Sequence, residues 1–377
     1  MFTYEIPCKV IFGQGVSGEV GKIAKDLGAK SVFVVYDQGI KQAGIADEVI
    51  KALQQEELEV NVFEEVMANP TDGQIAEAAS RAKKLAVDTL IGLGGGSSLD
   101  AAKAINILLT NDGQIQEYEG VNLVKEKPLP LIAIPTTAGT ASEVTSFTIV
   151  TNTAKKKKMV IAGCNVGAAV ALIDPNLTIN LPAHITAQTG MDALTHAAEA
   201  YLSVLATPLT DVNALKAIEL IYNHLETCVK SGTDSEAREK VMMGCVLAGF
   251  AFNSAVLGLA HGIAHPLGAL FNIPHGLANA IVLPEVMAFN GQAVPQRIVE
   301  IGQAMGLTRD DLTVDAIVTK VKELNKKIGI PGLYETDVKQ ADFDMLAKAT
   351  LLESCLFTNP RKVEYADVIG VLERSGQ

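Results

Sequence analysis

Four of the six histidines lie near an aspartate, or near one another, at spacings that suit metal binding. Asp192 and His196 are four residues apart, as are His261 and His265, and His275 follows ten residues later. On a helix, a spacing of four places two side chains on one face, one turn apart. Carboxylate and imidazole donors suit Fe²⁺, Zn²⁺ or Mn²⁺. Each pair alone is also typical of a surface ion pair or a core histidine, but their concentration favours a metal site.

A glycine-rich segment follows a predicted strand and opens a predicted helix: IGLGGGSSLD, residues 91–100. Three consecutive glycines let the backbone approach a ligand closely, and the N–H groups at the start of the helix face any anion bound there. A pyrophosphate group suits such a site. The segment differs from the GxGxxG dinucleotide pattern because Ser97 occupies the place of a small packing residue. The alternative is a tight turn in which Ser97 or Ser98 caps the helix.

A second polar segment, PTTAGTASE at residues 135–143, follows the next sheet strand. Open α/β sheets bind their ligands at the carboxyl ends of the strands. The hydroxyl groups of this segment suit contact with a phosphate, a ribose or a nicotinamide amide. Alternatively, Thr140 or Ser142 caps the next helix.

Strands and helices alternate in the first half of the chain. Short β-branched runs predict strands at residues 31–36, 58–63, 89–93, 131–134 and 170–173. Segments with helical periodicity separate them at residues 45–56, 73–85 and 98–109. This order predicts a doubly wound parallel sheet with helices on both faces. The leading segment, residues 3–12, is expected to form an edge strand or a hairpin. The run of four lysines at residues 155–158 is expected to form a solvated loop; the alternative is that it contacts a phosphate or a ribose.

The predicted secondary structure changes near residue 180. Strand-like runs disappear, and helices are predicted at residues 187–205, 212–229 and 236–257. We therefore predict two domains: an α/β domain of residues 1–180 and an all-helical domain of residues 181–377.

Composition excludes several classes of protein. The 377 residues carry 31 Lys and Arg against 43 Asp and Glu, a net charge of −12, which disfavours binding to nucleic acid or to a membrane surface. No apolar run reaches the roughly 20 residues that a bilayer requires, and the first residues lack the layout of a signal peptide. Five scattered cysteines without a CxxC pair are typical of a reduced, cytoplasmic protein.

Taken together, four segments resemble the iron-dependent (group III) alcohol dehydrogenase family: GGGSSLDAAKA (94–104), PTTAGTASE (135–143), GMDALTHAAE (190–199) and HGIAHPLGALFNIPHG (261–276). The likeness covers essentially the whole chain. It implies a nucleotide-binding α/β domain, a metal-binding helical domain, NAD as cofactor and a divalent metal, with Fe²⁺ favoured and Zn²⁺ as the alternative. The implied reaction interconverts a small alcohol or diol and its aldehyde or ketone.

The resemblance also assigns roles to residues. The four metal-ligand positions are Asp192, His196, His261 and His275. His265 falls on a histidine near the metal that is usually not a ligand, and we expect it to orient groups or relay a proton. The alternative is a structural histidine bonded to a backbone carbonyl. The positions that shape substrate access are Phe147, Phe252 and Cys355. The expected cofactor contacts are Asp37, Gly94, Gly95, Gly96, Ser97, Asp100, Thr136, Thr137, Thr140, Ser142 and Lys158.

Asp37, at the end of the first sheet strand, matches the family's ribose-binding acid. A carboxylate there accepts hydrogen bonds from both ribose hydroxyls and repels a 2′-phosphate, so NAD is favoured over NADP. The alternative is an aspartate that only forms a turn.

Two other functions compete with this prediction. Dehydroquinate synthase relatives share the architecture and use NAD and a metal, but they catalyse a lyase reaction. A non-catalytic structural subunit is the third candidate, which the complete ligand set argues against. For the enzyme we expect a homo-oligomer, a dimer or larger, with a small alcohol or aldehyde as its substrate.

Overall fold

The computed structural model describes residues 2–376. These residues separate into two compact units. The α/β unit contains Ile6–Thr137 and Ala141–Thr178, and the helical unit contains residues 2–5, Ala138–Thr140 and residues 179–376. The units differ from the two contiguous predicted domains, because two short segments of the first 180 residues belong to the helical unit.

The α/β unit contains all nine strands found in the described residues. They are β1 (Lys9–Phe12), β2 (Ser31–Val35), β3 (Glu59–Phe63), β4 (Thr89–Gly94), β5 (Gly120–Val121), β6 (Leu131–Pro135), β7 (Phe147–Asn152), β8 (Lys157–Ala162) and β9 (Val170–Ile173). Its helices are α1 (Val20–Asp26), α2 (Gln38–Gln42), α3 (Ile45–Gln55), α4 (Asp72–Lys84) and α5 (Gly96–Thr110).

Six strands form one parallel sheet in the order β1-β9-β6-β4-β2-β3. The central strands β2, β4 and β6 are buried along their whole length, as expected for strands covered on both faces. Alternate side chains point to opposite faces, so Phe33 and Leu90 pack with α4 and α5, whereas Val34 and Ile91 pack with α1 and α3. The predicted doubly wound sheet is confirmed.

A second, three-stranded sheet in the order β5-β8-β7 was not predicted. Its strands β7 and β8 pair antiparallel. The predicted loop at residues 155–158 is therefore wrong for its second half, because Lys157 and Lys158 begin β8. The buried Met159 and Ile161 alternate with the exposed Val160 and give this segment the pattern of a strand. The leading segment forms only the edge strand β1, which pairs parallel with β9.

The helical unit contains nine α-helices and, within the described residues, no strand. They are α6 (Ala183–Leu202), α7 (Pro208–Lys230), α8 (Ser235–Ala255), α9 (Leu259–Phe271), α10 (His275–Gly291), α11 (Pro295–Ala304), α12 (Val314–Lys327), α13 (Phe343–Thr350) and α14 (Tyr365–Arg374). The prediction of a helical second part is confirmed.

Helix α6 is central in this unit and packs against α7, α8 and α10. Helix α10 starts so close to α6 that a Cβ at Gly276 would collide with the carbonyl oxygen of Gln188. Glycine at this position therefore brings the first turn of α10 beside the middle of α6.

Among residues 2–376, no single helix is both long and apolar enough to cross a membrane; α8 and α9 meet the criteria only as a pair, bent by 101°.

Candidate metal centre and nucleotide-binding turns

Three helices of the helical unit bring together the four predicted metal ligands. Helix α6 supplies Asp192 and His196, α9 supplies His261, and His275 is the first residue of α10. One potential ligand atom from each residue lies within 4.8 Å of those of the other three. The chain thus converges one carboxylate and three imidazoles on a single point, although they are spread over more than 80 residues of sequence.

Electrostatics favours the protonation states that bind a metal. Burial would raise the pKa of Asp192, but the nearby histidines and a hydrogen bond from Asn279 outweigh it and lower that pKa. Burial, together with the charge of His196, lowers the pKa of His261 well below its ordinary value. Asp192 is therefore an anion and His261 a neutral imidazole, which is the form that donates a lone pair.

Glu199 supports His261 from the side opposite the cluster. Its Oε2 lies 2.6 Å from His261 Nδ1, and its Oε1 accepts a hydrogen bond from the backbone N–H of Ala260 at 2.6 Å. Burial raises the pKa of Glu199 to about 7. Glu199 was not predicted from the sequence. The signal was its place on α6, seven residues after Asp192 and so on the same face of the helix.

His196 is buried between two rings. Its imidazole stacks on Phe252 at 4.4 Å and on His261 at 4.7 Å between ring centroids. Its Nδ1 is buried and has no hydrogen-bond partner. Buried polar atoms are rarely left unpaired. This orphaned nitrogen and the mixed nitrogen and oxygen donor set both fit a divalent transition metal ion.

His265 lies outside the four-residue cluster, beside it. Its ring centroid is 6.0 Å from that of His261 and 5.5 Å from that of His275. Its Nδ1 lies 2.8 Å from Glu353 Oε2, a partner that the sequence analysis did not identify. The alternative of a bond to a backbone carbonyl is not what the structure shows: the partner is a carboxylate. Glu353 had no signal in the sequence, because it comes from a segment remote from α9.

The three predicted pocket residues fall in different units. Phe252 on α8 stacks on His196, and Cys355 offers a thiol within 4.8 Å of the donor atoms of His265 and Glu353. Burial raises the pKa of the Cys355 thiol well above its ordinary value. Phe147 begins β7 in the α/β unit. Two of the three thus adjoin the histidine cluster.

In the α/β unit, the glycine-rich segment forms the turn between β4 and α5. Gly94 has a φ of 140°, and a Cβ there would lie 2.7 Å from Ser98 Oγ, so glycine is required. Gly95 occupies the N-cap of α5, and no side chain caps the helix. The alternative of a serine cap is therefore wrong: Ser97 Oγ donates to the carbonyl of Ala68 instead. Gly96, the first residue of α5, leaves the helix N-terminus without a side chain over it.

Asp37 lies beside this turn. Its Oδ2 accepts a hydrogen bond from Ser98 Oγ at 3.1 Å, and its Oδ1 caps α2 by accepting from the N–H of Ile40 at 3.1 Å. Asp37 thus stabilises a turn, which is the alternative role given above, and it also borders the segment that we expect to bind the cofactor. Its contact with a ribose stays a prediction.

The second polar segment starts next to the first. A Cβ at Gly95 would lie 3.5 Å from Thr137 Oγ1, so the two turns adjoin as predicted. Thr136, before it, is buried at the end of the strand. Thr140 belongs to the helical unit. Ser142 is a bonding partner of Asp100, as its Oγ donates to Asp100 Oδ1 at 2.7 Å.

Asp100 links helix α5 to the second sheet through hydrogen bonds. Asp100 Oδ2 accepts from the N–H of Ile149 at 3.3 Å. Burial raises the pKa of Asp100, against the opposing charges of Lys103 and Lys158. These bonds tie α5 to the second sheet, and the predicted contacts of Asp100, Ser142 and Lys158 with a cofactor stay predictions.

Lys103 is a buried cation that the sequence analysis missed. Its Nζ donates to the carbonyl oxygens of Ser142 at 2.5 Å, Thr145 at 3.0 Å and Phe147 at 2.7 Å. Burial lowers its pKa to about 8. Burial likewise raises the pKa of the neighbouring Glu143 to about 7, and both carboxylate oxygens of Glu143 lack a hydrogen-bond partner.

Comparison with known proteins identifies the family. Residues 7–175 match the iron-containing alcohol dehydrogenase model, and residues 186–376 match the C-terminal model of the Fe-containing alcohol dehydrogenase family. The chain is 38% identical to the NAD-dependent methanol dehydrogenase of Bacillus methanolicus over 380 residues, which is 100% of each chain. It is also 38% identical to the 1,3-propanediol dehydrogenase of Klebsiella pneumoniae, over 100% of this chain and 99% of that one.

Solved structures agree. The crystal structure of a 1,3-propanediol oxidoreductase matches with a TM-score of 0.97 and 37% identity, over 100% of both chains. Sulfoacetaldehyde reductase from Bifidobacterium kashiwanohense, solved in complex with NAD⁺, matches with a TM-score of 0.93 and 30% identity, over 100% of this chain and 99% of that one. The chain belongs to the iron-containing alcohol dehydrogenase family. It is an oxidoreductase of the alcohol dehydrogenase class, as the sequence analysis predicted.

Proposed function

We propose that the protein interconverts a small alcohol or diol and its aldehyde or ketone, using NAD(H) and a divalent metal ion bound by Asp192, His196, His261 and His275. The observation that carries the proposal is that one ligand atom from each of these four residues lies within 4.8 Å of those of the other three, and the buried Nδ1 of His196, which lacks a partner, supports it. Relatives named for methanol and 1,3-propanediol support a small substrate. Iron is the favoured metal, as the family's name suggests, and zinc suits the same donors.

Within this proposal, a metal ion supplies Lewis acidity toward an alcohol or carbonyl oxygen, and the nicotinamide accepts or donates the hydride. The chain's own residues prepare that chemistry. Asp192 contributes the negative charge of the ligand set. Glu199 keeps the proton of His261 on Nδ1, which leaves the Nε2 lone pair directed at the cluster.

His265 is the proposed proton-handling residue. Its Nδ1 is engaged with Glu353, so Nε2 remains the atom that holds or passes a proton. Both side chains are partly exposed, with 22% and 31% of their surface accessible, which gives the proton a route to solvent. Four donors already surround the proposed ion, and a fifth ligand would occupy the position that substrate needs.

The proposed cofactor is NAD rather than NADP, because the Asp37 carboxylate at the glycine turn repels a 2′-phosphate. The matched test is Asp37→Asn, which keeps the cap of α2 and removes the charge. We expect the ratio of kcat/KM with NADP to that with NAD to rise. The control is Asp234→Asn, which alters the aspartate that caps α8 and accepts from Ala237. An unchanged ratio in Asp37→Asn would show that this carboxylate does not face the ribose.

The reaction itself is tested by NADH consumption with small aldehydes and NAD reduction with small alcohols. The assay uses protein loaded with Fe²⁺ or Zn²⁺ and protein treated with a chelator. We expect activity only in the loaded forms. Loaded protein that is inactive with all of these substrates would contradict the proposal and return attention to the lyase or the non-catalytic alternative.

We further propose a homo-oligomer in the cytoplasm. All five cysteines are free thiols, which suits a reducing compartment. Two neighbouring apolar side chains are exposed: Phe357 by 87% and Val204 by 60%. The two residues are close together, because the backbone N–H of Val204 donates to the carbonyl of Thr358, the residue after Phe357, at 3.0 Å. An apolar patch of this kind is typical of a subunit interface. Light scattering of wild type and Phe357→Asp tests this: we expect an oligomer that the substitution weakens, and a monomeric wild type would refute it.

A further inference from the structure

Three side chains with metal-binding atoms meet beside the four-residue cluster without belonging to it. They are His265 on α9, and Glu353 and Cys355 from the segment that follows α13. One potential ligand atom from each lies within 4.8 Å of those of the other two, and His265 Nδ1 is 2.8 Å from Glu353 Oε2. With metal–ligand distances of about 2.0–2.3 Å, the ligand atoms of one tetrahedral ion lie about 3.5 Å apart. The three atoms are therefore close to the spacing that a single ion requires.

The chain holds the segment of residues 353–359 tightly against α9. Gly262 on α9 faces this segment, and a Cβ there would lie 2.8 Å from Leu356 Cδ2 and 3.7 Å from Cys355 Sγ. Asn359 Oδ1 accepts a hydrogen bond from the N–H of the first residue of α9 at 3.2 Å. The thiol therefore lies beside α9 because of backbone packing and an asparagine bond, not because of the three potential ligands themselves.

The donor set selects a class of ion. Thiolate, imidazole and carboxylate donors together suit Zn²⁺ and its analogue Co²⁺, whereas Mg²⁺ and Ca²⁺ prefer oxygen donors alone. The two anionic donors neutralise a divalent ion, so the complex adds no net charge beside an ion held by the four-residue cluster. The side chains of His265 and Glu353 are 22% and 31% exposed, which leaves an entry path and a position for a water ligand.

We propose that His265, Glu353 and Cys355 form a second metal site, at which Zn²⁺ inhibits the enzyme. The ion replaces the proton of the Cys355 thiol, and that proton leaves to solvent. The inhibition rests on the proposed function, in which His265 handles a proton: an ion bound to His265 and Glu353 removes both from proton transfer.

The second site is weaker than the first. It has three protein ligands instead of four, His265 and Glu353 must give up their mutual bond, and the buried thiol must lose its proton. We therefore expect it to fill only when the metal exceeds one ion per chain, and to empty when the excess is removed.

A spectroscopic titration detects the second site directly. A cysteine thiolate bound to Co²⁺ gives an intense charge-transfer absorption in the near ultraviolet, which carboxylate and imidazole ligands do not give. The four-residue cluster contains no cysteine, so the absorption reports only the second site. Protein loaded with one Zn²⁺ per chain is titrated with Co²⁺. We expect the absorption in wild type, its disappearance when Zn²⁺ is added in excess, and no such absorption in Cys355→Ser.

The matched control is Cys228→Ser. Cys228 is also a buried free cysteine, but it lies on α7 and belongs to neither group of potential metal ligands. We expect this variant to develop the wild-type absorption. Glu353→Gln provides a second variant at the site: it keeps the thiol, so the absorption should appear, but at a higher Co²⁺ concentration than in wild type.

The inhibition is measured with enzyme that already carries one Zn²⁺ per chain, so that added Zn²⁺ cannot act by exchanging the first ion. Each protein is compared with its own activity before the addition. We expect wild type and Cys228→Ser to lose activity at the same Zn²⁺ concentration. Cys355→Ser should need more than about 100-fold more Zn²⁺ for the same fractional loss, because loss of a partner outside the ligand set already costs about 10–100-fold in affinity.

The outcomes separate this inference from the proposed function. An active wild type without the Co²⁺ absorption, or an equal absorption in Cys355→Ser, would overturn the second site alone. Equal inhibition of wild type and Cys355→Ser would overturn its role in inhibition. A wild type that shows the absorption but is inactive with every small alcohol and aldehyde would support the second site and refute the proposed function, and the inhibition with it.

Discussion

Each unit of the protein buries a cluster of ionisable side chains, and the two clusters differ in the source of their positive charge. In the α/β unit the charge is the ammonium group of Lys103, next to the carboxylates of Asp100 and Glu143. In the helical unit Asp192 and Glu199 are surrounded by histidines, and His261 is held neutral. No lysine or arginine is among the described bonding partners of that second cluster.

The hydrogen bonds reflect this difference. Lys103 directs its donors to three backbone carbonyls, so the cation of this cluster is part of the chain and is fully engaged, although both carboxylate oxygens of Glu143 lack a hydrogen-bond partner. In the helical unit the lone pairs face one another around the neutral amide of Asn279, and His196 Nδ1 has no partner. A buried cluster that contains its own cation has no need of an external one, whereas a cluster without a cation is suited to receive an external ion.

The largest effect is expected from Lys103→Met. This change leaves three carbonyls without their donor and removes the cation near Asp100 and Glu143, which should lower the free energy of unfolding by about 3–5 kcal/mol. Urea unfolding measures the loss, which we expect to be the same with and without Zn²⁺. The control, Lys157→Met at the exposed salt bridge with Glu119, should lose about 1 kcal/mol or less. If Zn²⁺ restored the free energy of unfolding of Lys103→Met, the result would contradict the distinction between a cluster that contains its own cation and a cluster that receives a metal ion.

Glu143→Gln should change how stability depends on pH. The folded pKa of about 7 is above the ordinary value of 4.5, so the folded protein binds more protons in this window and wild-type stability falls as pH rises through it. The variant lacks this loss and should be more stable above pH 7, by up to about 3 kcal/mol, with no gain below the ordinary pKa. Thermal unfolding across this pH range measures it. Parallel curves for variant and wild type would show that the Glu143 carboxylate is not destabilised by burial.

Glu199→Gln tests the other cluster. The substitution keeps the shape but removes the charge that holds the His261 proton on Nδ1, and we expect Zn²⁺ affinity to fall about 10–100-fold. Glu353→Gln is the matched control, because it alters the same kind of carboxylate–imidazole bond on His265, outside the ligand set. Equal losses of affinity in both variants would mean that the two histidines do not differ in role.

The smallest expected effect on metal binding belongs to His265→Ala. We expect one metal ion per chain, as in wild type, together with slower turnover, because the residue is assigned to proton handling. Metal analysis beside a turnover assay decides it. Loss of metal in His265→Ala would make this histidine a ligand.

The sequence predicted the main sheet well and the second sheet poorly. Strands β2, β4, β6 and β9 were found within one residue of their ends, because buried parallel strands are uninterrupted apolar runs. The β7–β8 hairpin was missed because its lysine-rich connection and half-exposed strands resemble a solvated loop.

The candidate site shows a similar division. The four donors could be predicted because two of them share a helix face and because all four lie within segments that resemble the family's motifs. Glu199, Asn279 and Glu353 were missed because their importance comes from the partners they meet in space. Lys103 was missed because nothing in the spacing of α5 shows that three carbonyls from another segment converge on its side chain.

The most direct test of the metal assignment compares the metal content of wild type and His261→Ala. Both proteins are purified anaerobically, and their metals are measured by inductively coupled plasma mass spectrometry. We expect one iron or zinc ion per chain in wild type and almost none in a folded His261→Ala protein. Equal metal content in the two proteins, or none in wild type, would contradict it.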